Sequence, residues 1–189
     1  GRAIYRILNY MGYQEFMEGK DITVNITELE QPDVPLWAIW ALQQYAKETS
    51  KEECLKKYGK FIKSVMLFIE GNHHPNLELH PNGLLYADGK NKAVTWMNST
   101  ANGKPVVPRS GYIVEFNALW YNALCFCAAL CELEGKQERQ QHLLEIAEKT
   151  KQSFLDTFLN EYGYLYDYVD GNMIDWSVRP NMIFPVAFD

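Results

Sequence analysis

The sequence predicts an all-α fold, part of an (α/α)6 toroid with about five helices alternating inner and outer and long loops at one end. Three observations carry this: two kinds of helical pattern alternate, the turn inside each pair is short, and the return connections are long. Residues 3–17 read as an outer helix. Leu36 to Ala46, with Trp37, Ile39, Trp40, Leu42 and Tyr45, is more apolar than the segment after it and reads as inner. Residues 52–70 place Cys54, Tyr58, Phe61, Ile62, Val65, Met66 and Ile69 on one stripe with Lys and Glu opposite, as in a helix with one face in water. Residues 113–133 are apolar nearly all round, from Ile113 and Val114 through Trp120 and Phe126 to Leu130 and Leu133, so this helix must be enclosed. Residues 138–159 return to the one-sided pattern, with Leu143, Leu144, Ala147, Phe154, Leu155 and Phe158.

The connections order these elements. Thr49-Ser50 and Glu134-Gly135-Lys136 are the short links of helix hairpins. Residues 18–34, 71–111 and 160–180 each run from an outer helix back to the start of an inner one, so three long loops are expected to gather beside the inner-helix N-termini. The chain opens on Gly1 rather than Met, and it stops at Phe188-Asp189 where Arg179 to Phe184 should begin a third inner helix. Residues 1–189 therefore read as a single incomplete toroid domain, about half of the closed ring. Its exposed inner-helix flanks would seek cover, by self-association or from the rest of a longer protein.

Composition limits the function classes. The hydrophobic share of 47% over 189 residues supports one sizeable core. A net charge of -6 and a pI near 5.3 argue against nucleic acid as a partner. No apolar run reads as approaching a membrane span and no signal peptide is evident, so the expected setting is soluble and cytoplasmic. The four cysteines form no CxxC pair and read as packing thiols, which fits a reducing compartment. His73, His74 and His80 fall in a loop without a second ligand cluster, and no metal or other cofactor is expected.

The loops carry the chemistry. Sugars are bound by flat apolar faces against the C–H side of the ring and by polar groups for the hydroxyls. Trp37, Trp96, Trp120, Tyr121, Tyr164, Tyr166 and Trp176 offer rings, while Asp33, Arg109, Glu115, Asn117, Asp175, Arg179 and Asn181 offer donors and acceptors. Taken singly, each aromatic can equally be core, and Arg109 or Arg179 can simply pair with a carboxylate. Three separate loops, however, each deliver an aromatic and an ionisable group beside an inner-helix start. Glycosidic hydrolysis usually takes two carboxyls. The candidates are Asp33, Asp88, Glu115, Asp167, Asp170 and Asp175, and spacing does not rank them. No Ser or Cys nucleophile motif and no phosphate-cradling glycine loop is found.

Five ordered segments and a sixth element resemble a known family. They are Thr95-Trp96-Met97-Asn98, Pro108-Arg109, Val114-Glu115 through Asn122, Gly163 to Asp167 with Asp170-Gly171, and Arg179-Pro180-Asn181, preceded by Asp33-Val34-Pro35-Leu36-Trp37. Together they resemble the amylo-α-1,6-glucosidase domain of glycogen debranching enzymes over residues 30–189. The resemblance implies an (α/α)6 toroid that removes the α-1,6-linked glucose stub at glycogen branch points, with inversion and no cofactor. Arg109, Glu115, Asn117, Trp120 and Arg179 match the family, which implies substrate-binding or site-shaping roles for them; taken with the loop residues, the substrate contacts expected are Asp33, Trp37, Trp96, Arg109, Asn117, Trp120, Tyr166, Asp175 and Arg179. The family has an Asp as general acid where this chain has Asn98, and an amide has no suitably acidic proton to give. The family's base lies beyond residue 189, so the isolated chain is expected to be catalytically silent. In a longer parent, either Asn98 marks a weakened enzyme or another carboxyl, such as Glu115 or Asp88, takes the acid role. The alternatives are another α-glucoside hydrolase of this toroid class, glucoamylase- or trehalase-like, and a non-catalytic glycan-binding or scaffolding module.

Overall fold

The computed structural model describes residues 31–188, so the expected outer helix at 3–17 and most of the first long loop lie outside the described residues. Helix α1, Val34–Glu48, carries Pro35 in its first turn, where a missing N–H costs nothing. Helix α2, Lys51–Glu70, starts on a Ser50 hydroxyl that accepts from the Glu53 N–H at 3.1 Å. Helices α3, Val114–Leu133, and α4, Gln137–Phe158, form the second hairpin, across Gly135 at φ 69°. A 3-10 turn at Pro180–Ile183 then runs into a short α5, Phe184–Ala187, at the position expected for a third inner helix.

The inner and outer characters differ as the patterns predict. Helix α3 buries 14 of its 20 residues, whereas α4 buries four of 22. Helix α1 packs on α3, and α5 packs on α3 as well. The α2 stripe is buried at Cys54, Phe61, Ile62, Val65, Met66 and Ile69, as expected. On α4 the stripe is narrower than predicted, because Leu144 and Leu155 are 46% and 44% exposed. Thr150 takes a buried position instead, donating its hydroxyl to Gly83 O and Ile146 O, both at 2.8 Å.

Two expectations need correction here. Helix α3 is long and apolar enough to cross a membrane by length and composition, contrary to the expectation that no run approaches that size; 78% of the apolar window is buried inside the protein. The fold is also not all-α. Strands β1 (Leu77–Leu79), β2 (Leu85–Ala87), β5 (Gly111–Ile113), β6 (Tyr168–Asp170) and β7 (Met173–Asp175) form one antiparallel sheet in the order β1-β2-β5-β6-β7, and β3 (Thr100–Ala101) pairs with β4 (Lys104–Pro105). Long connections inside a compact domain carry backbone N–H and C=O groups that must find partners, and these ladders supply them.

The five-stranded sheet ties two long loops together. Register sets Tyr86 opposite Tyr112 and Tyr112 opposite Val169 on the outward face, while Leu85, Ala87 and Ile113 point to the core. Gly111 is required where β5 meets β6: it has φ 93°, and a Cβ there would lie 2.3 Å from Val169 O. Gly111→Ala is expected to lower stability by about 1–3 kcal/mol through backbone strain, read as a lower denaturation midpoint. An unchanged midpoint would refute the register described above.

Candidate functional site

Strand β5 turns directly into α3, which brings Arg109, just before the strand, back over Glu115 in the first turn of the helix. Because β5 also pairs with β6, and the Val114 N–H donates to Asp167 O at 3.1 Å, Asp167 arrives at the same point. The Arg109 guanidinium grips both carboxylates. Its Nη1 and Nη2 donate to the two Glu115 oxygens, the second at 2.6 Å, while Nε and Nη2 donate to Asp167 Oδ2 and Oδ1 at 2.7 and 2.9 Å. A longer bond at 3.4 Å reaches the Thr95 hydroxyl. All three charged side chains are buried. Burial works against charge on Arg109, but the Glu115 and Asp167 carboxylates outweigh it and hold the guanidinium above its ordinary range.

The network then reaches outward. Arg179 Nη1 donates to Asp167 Oδ2 at 2.7 Å and lies 3.1 Å from Asp175 Oδ2. Asn181 Nδ2 donates to Asp167 Oδ1 at 2.8 Å, and Asn181 Oδ1 accepts from the Trp96 indole N–H at 3.0 Å. Trp96 is 46% exposed. Burial would raise the Asp175 carboxyl, but hydrogen bonds from Ser177 and then Arg179 hold it below the usual range. The site thus grades from a buried ionic centre to a surface of indole, guanidinium and carboxylate.

Asp33 brings in the third loop. It stands at the N-cap position of α1 but makes no side-chain cap; its Oδ2 accepts from Trp37 Nε1 at 3.3 Å, and Oδ1 is buried without a full hydrogen bond. Burial, together with the neighbouring Glu115 charge, pushes this carboxyl up to about 7, against weaker pulls from the Trp37 indole and the Trp96 backbone N–H. Asp33 therefore belongs with Trp96 and Glu115, as the expected gathering of three loops requires.

The remaining residues separate by exposure. Asn98 is exposed, Tyr166, Asp175 and Arg179 are half-buried, and Trp37 is half-buried with its ring edge-on to Phe184 at 5.1 Å. Asn117 and Trp120, expected as substrate contacts, are fully enclosed. Asn117 accepts from the Leu85 N–H at 2.7 Å and donates to Leu85 O and Ile113 O, pinning β2 to the start of α3. Trp120 donates to Gly83 O at 3.2 Å from inside the core. Both Glu115 oxygens accept from Arg109, whose charge draws the carboxyl down, but burial outweighs it and holds this carboxyl above its ordinary range. Asp88 is exposed, and its Oδ1 lies 3.4 Å from the Lys90 N–H. Asp167 was one carboxylate among six by spacing; its centrality comes from the β5–β6 pairing, which no local pattern shows. Among the described residues, no three His, Cys, Asp or Glu side chains converge as a metal ion would require.

Paired helices open onto a loop-built end where an exposed indole, arginines and carboxylates converge, groups of the kind that contact sugar rings and hydroxyls. The class is that of the glycoside hydrolase-related helical domains. A family model described as Amylo-alpha-1,6-glucosidase matches residues 24–189, and the chain belongs to that family. No curated protein matches the chain.

Proposed function

We propose that this chain carries the glucan-recognising part of a debranching-type glycoside hydrolase, one that acts with inversion on the α-1,6-linked glucose at branch points. The carrying observation is the convergence of Trp96, Asn181, Arg179, Asp175 and Asp33, drawn from three loops, around the Arg109–Asp167 centre. In this reading Arg109, Glu115, Asn117 and Trp120 shape the site from within, whereas Trp96, Tyr166, Asp175 and Arg179 meet the sugar. The enclosing architecture is part of an (α/α)6 toroid, and the setting is cytoplasmic. The isolated chain is silent in catalysis, because Asn98 stands exposed at the acid position with only an amide to offer.

Two measurements test this. Calorimetric titration with maltooligosaccharides and isomaltose is expected to give heat, and incubation with a branched limit dextrin is expected to release no glucose. Trp96→Ala should weaken binding by about tenfold through loss of a stacking face. Glucose release would overturn the silent reading. Absence of heat with either sugar would favour a scaffolding module.

A further inference from the structure

Helix α2 carries a glycine where helices least favour one. Gly59 stands near the middle of the helix, and a glycine there costs helix stability relative to alanine because its backbone loses more freedom on folding. Its φ is not positive, and a Cβ there would meet only the flexible Leu55 side chain, 3.1 Å from Cδ1. Neither backbone conformation nor the close approach of another helix therefore calls for glycine. Gly59 does line an open cavity of about 570 Å³, walled by α2 from Leu55 to Leu67, by the last turns of α3 and by the start of α4.

The cavity is apolar below and cationic at the rim. Ile62, Met66, Leu130 and Leu143 form the floor with Cys127 and Cys131. Burial pushes both thiols up, so the floor is uncharged at neutral pH. Lys60, Lys63, Lys136 and Arg139 stand at the rim. Glu134 pairs with Lys136 at 2.8 Å and Glu70 with Arg139, which offsets two of the four charges and leaves the rim positive on a chain of net charge -6. The volume falls in the range of small-molecule sites. Along α2 the wall from Leu55 to Leu67 is about 18 Å long, from the helical rise per residue.

We propose that this cavity binds a long-chain carboxylate, its single alkyl chain on the floor between α2 and α3 and its head group among the rim cations. A long apolar floor takes methylenes out of water, and a cationic rim selects the sign of the head group. The cavity lies at the C-terminal end of α3, whereas Glu115 is in the first turn of that helix, so this site stands apart from the glucan reading.

Calorimetric titration of the full chain with dodecanoate, kept below its micelle concentration, is expected to show saturable binding. Dodecyltrimethylammonium, with the same tail and the opposite charge, should bind at least about tenfold more weakly. Gly59→Leu fills the cavity and should weaken dodecanoate binding by about tenfold or more. Gly59→Ala should bind within about threefold of the unsubstituted chain and melt higher, which separates filling the cavity from disturbing the helix. The pair Lys63→Glu and Lys136→Glu, both at exposed positions, should cost about tenfold in dodecanoate binding while thermal melts show the fold retained. Lack of saturable heat with dodecanoate would overturn the site, as would undiminished binding by a folded Gly59→Leu chain. Equal binding of the two amphiphiles, or an unchanged affinity in the charge-reversed pair, would overturn the carboxylate assignment.

Discussion

Replacing Arg109 with Met is expected to lower the unfolding free energy by about 3–5 kcal/mol, enough to leave much of the chain unfolded, because the buried Glu115 carboxylate then loses its counter-charge and Asp167 keeps only Arg179. Glu115 and Asp167 each have fully buried side chains, and the Arg109 guanidinium holds both. Arg109→Lys should be little better. An ammonium is a point charge and cannot donate bidentately to two carboxylates in different directions. The triple change Arg109→Met, Glu115→Gln and Asp167→Asn should recover part of the loss, since the buried charges go together, although Arg179 then loses its Asp167 partner. Denaturant unfolding of the three proteins checks this. Arg109→Met with an unchanged midpoint would show that the ionic centre is not what joins β5, β6 and α3.

Asp33→Asn is expected to act in the opposite direction, stabilising the chain at neutral and alkaline pH. The Asp33 carboxyl lies at about 7 in the folded chain, above its ordinary 3.8. Between those values the folded state keeps a proton that the unfolded chain releases, so this group's contribution is fully present at low pH and is lost as pH rises towards 7. The loss amounts to roughly 4 kcal/mol once the carboxyl ionises in both states. An asparagine oxygen can still accept from the Trp37 indole and carries no charge at any pH. Urea midpoints of the two proteins should converge near pH 4 and separate by pH 8, with the variant the more stable. Equal pH slopes would mean that Asp33 is ionised throughout.

Much of the helical frame was legible. The all-round apolarity of α3, the stripe on α2 and the Glu134-Gly135-Lys136 turn are local patterns, and the structure places helices where those patterns fall. The strands were not legible, for a physical reason: each has three residues or fewer, too short for alternation to register, and β5 finds β2 and β6 across long stretches of sequence. One local signal does mark a strand pair: Asn102-Gly103, with both φ angles positive, is the usual two-residue link of a hairpin such as β3–β4. Leu144 falls outside the core stripe because adjacent helix positions point about 100° apart, and of the pair only Leu143 faces inward.

The same division holds at the site. Residue types and their order along the chain were sufficient to indicate the family, because an aromatic and an ionisable group recur beside each inner-helix start and the motifs are contiguous. Which side of the protein surface each side chain occupies was decided only by tertiary structure. Glu115 and Asn117 lie two positions apart and share burial but not partners, one held by Arg109 and the other by the Leu85 backbone. Asp33 and Asp175 looked alike as loop carboxylates, yet one is raised by burial beside Glu115 and the other lowered by Ser177 and Arg179. A sequence lists the groups that can carry charge or donate hydrogen bonds. Desolvation and partner geometry, which set what those groups do, arise only when distant segments pack together.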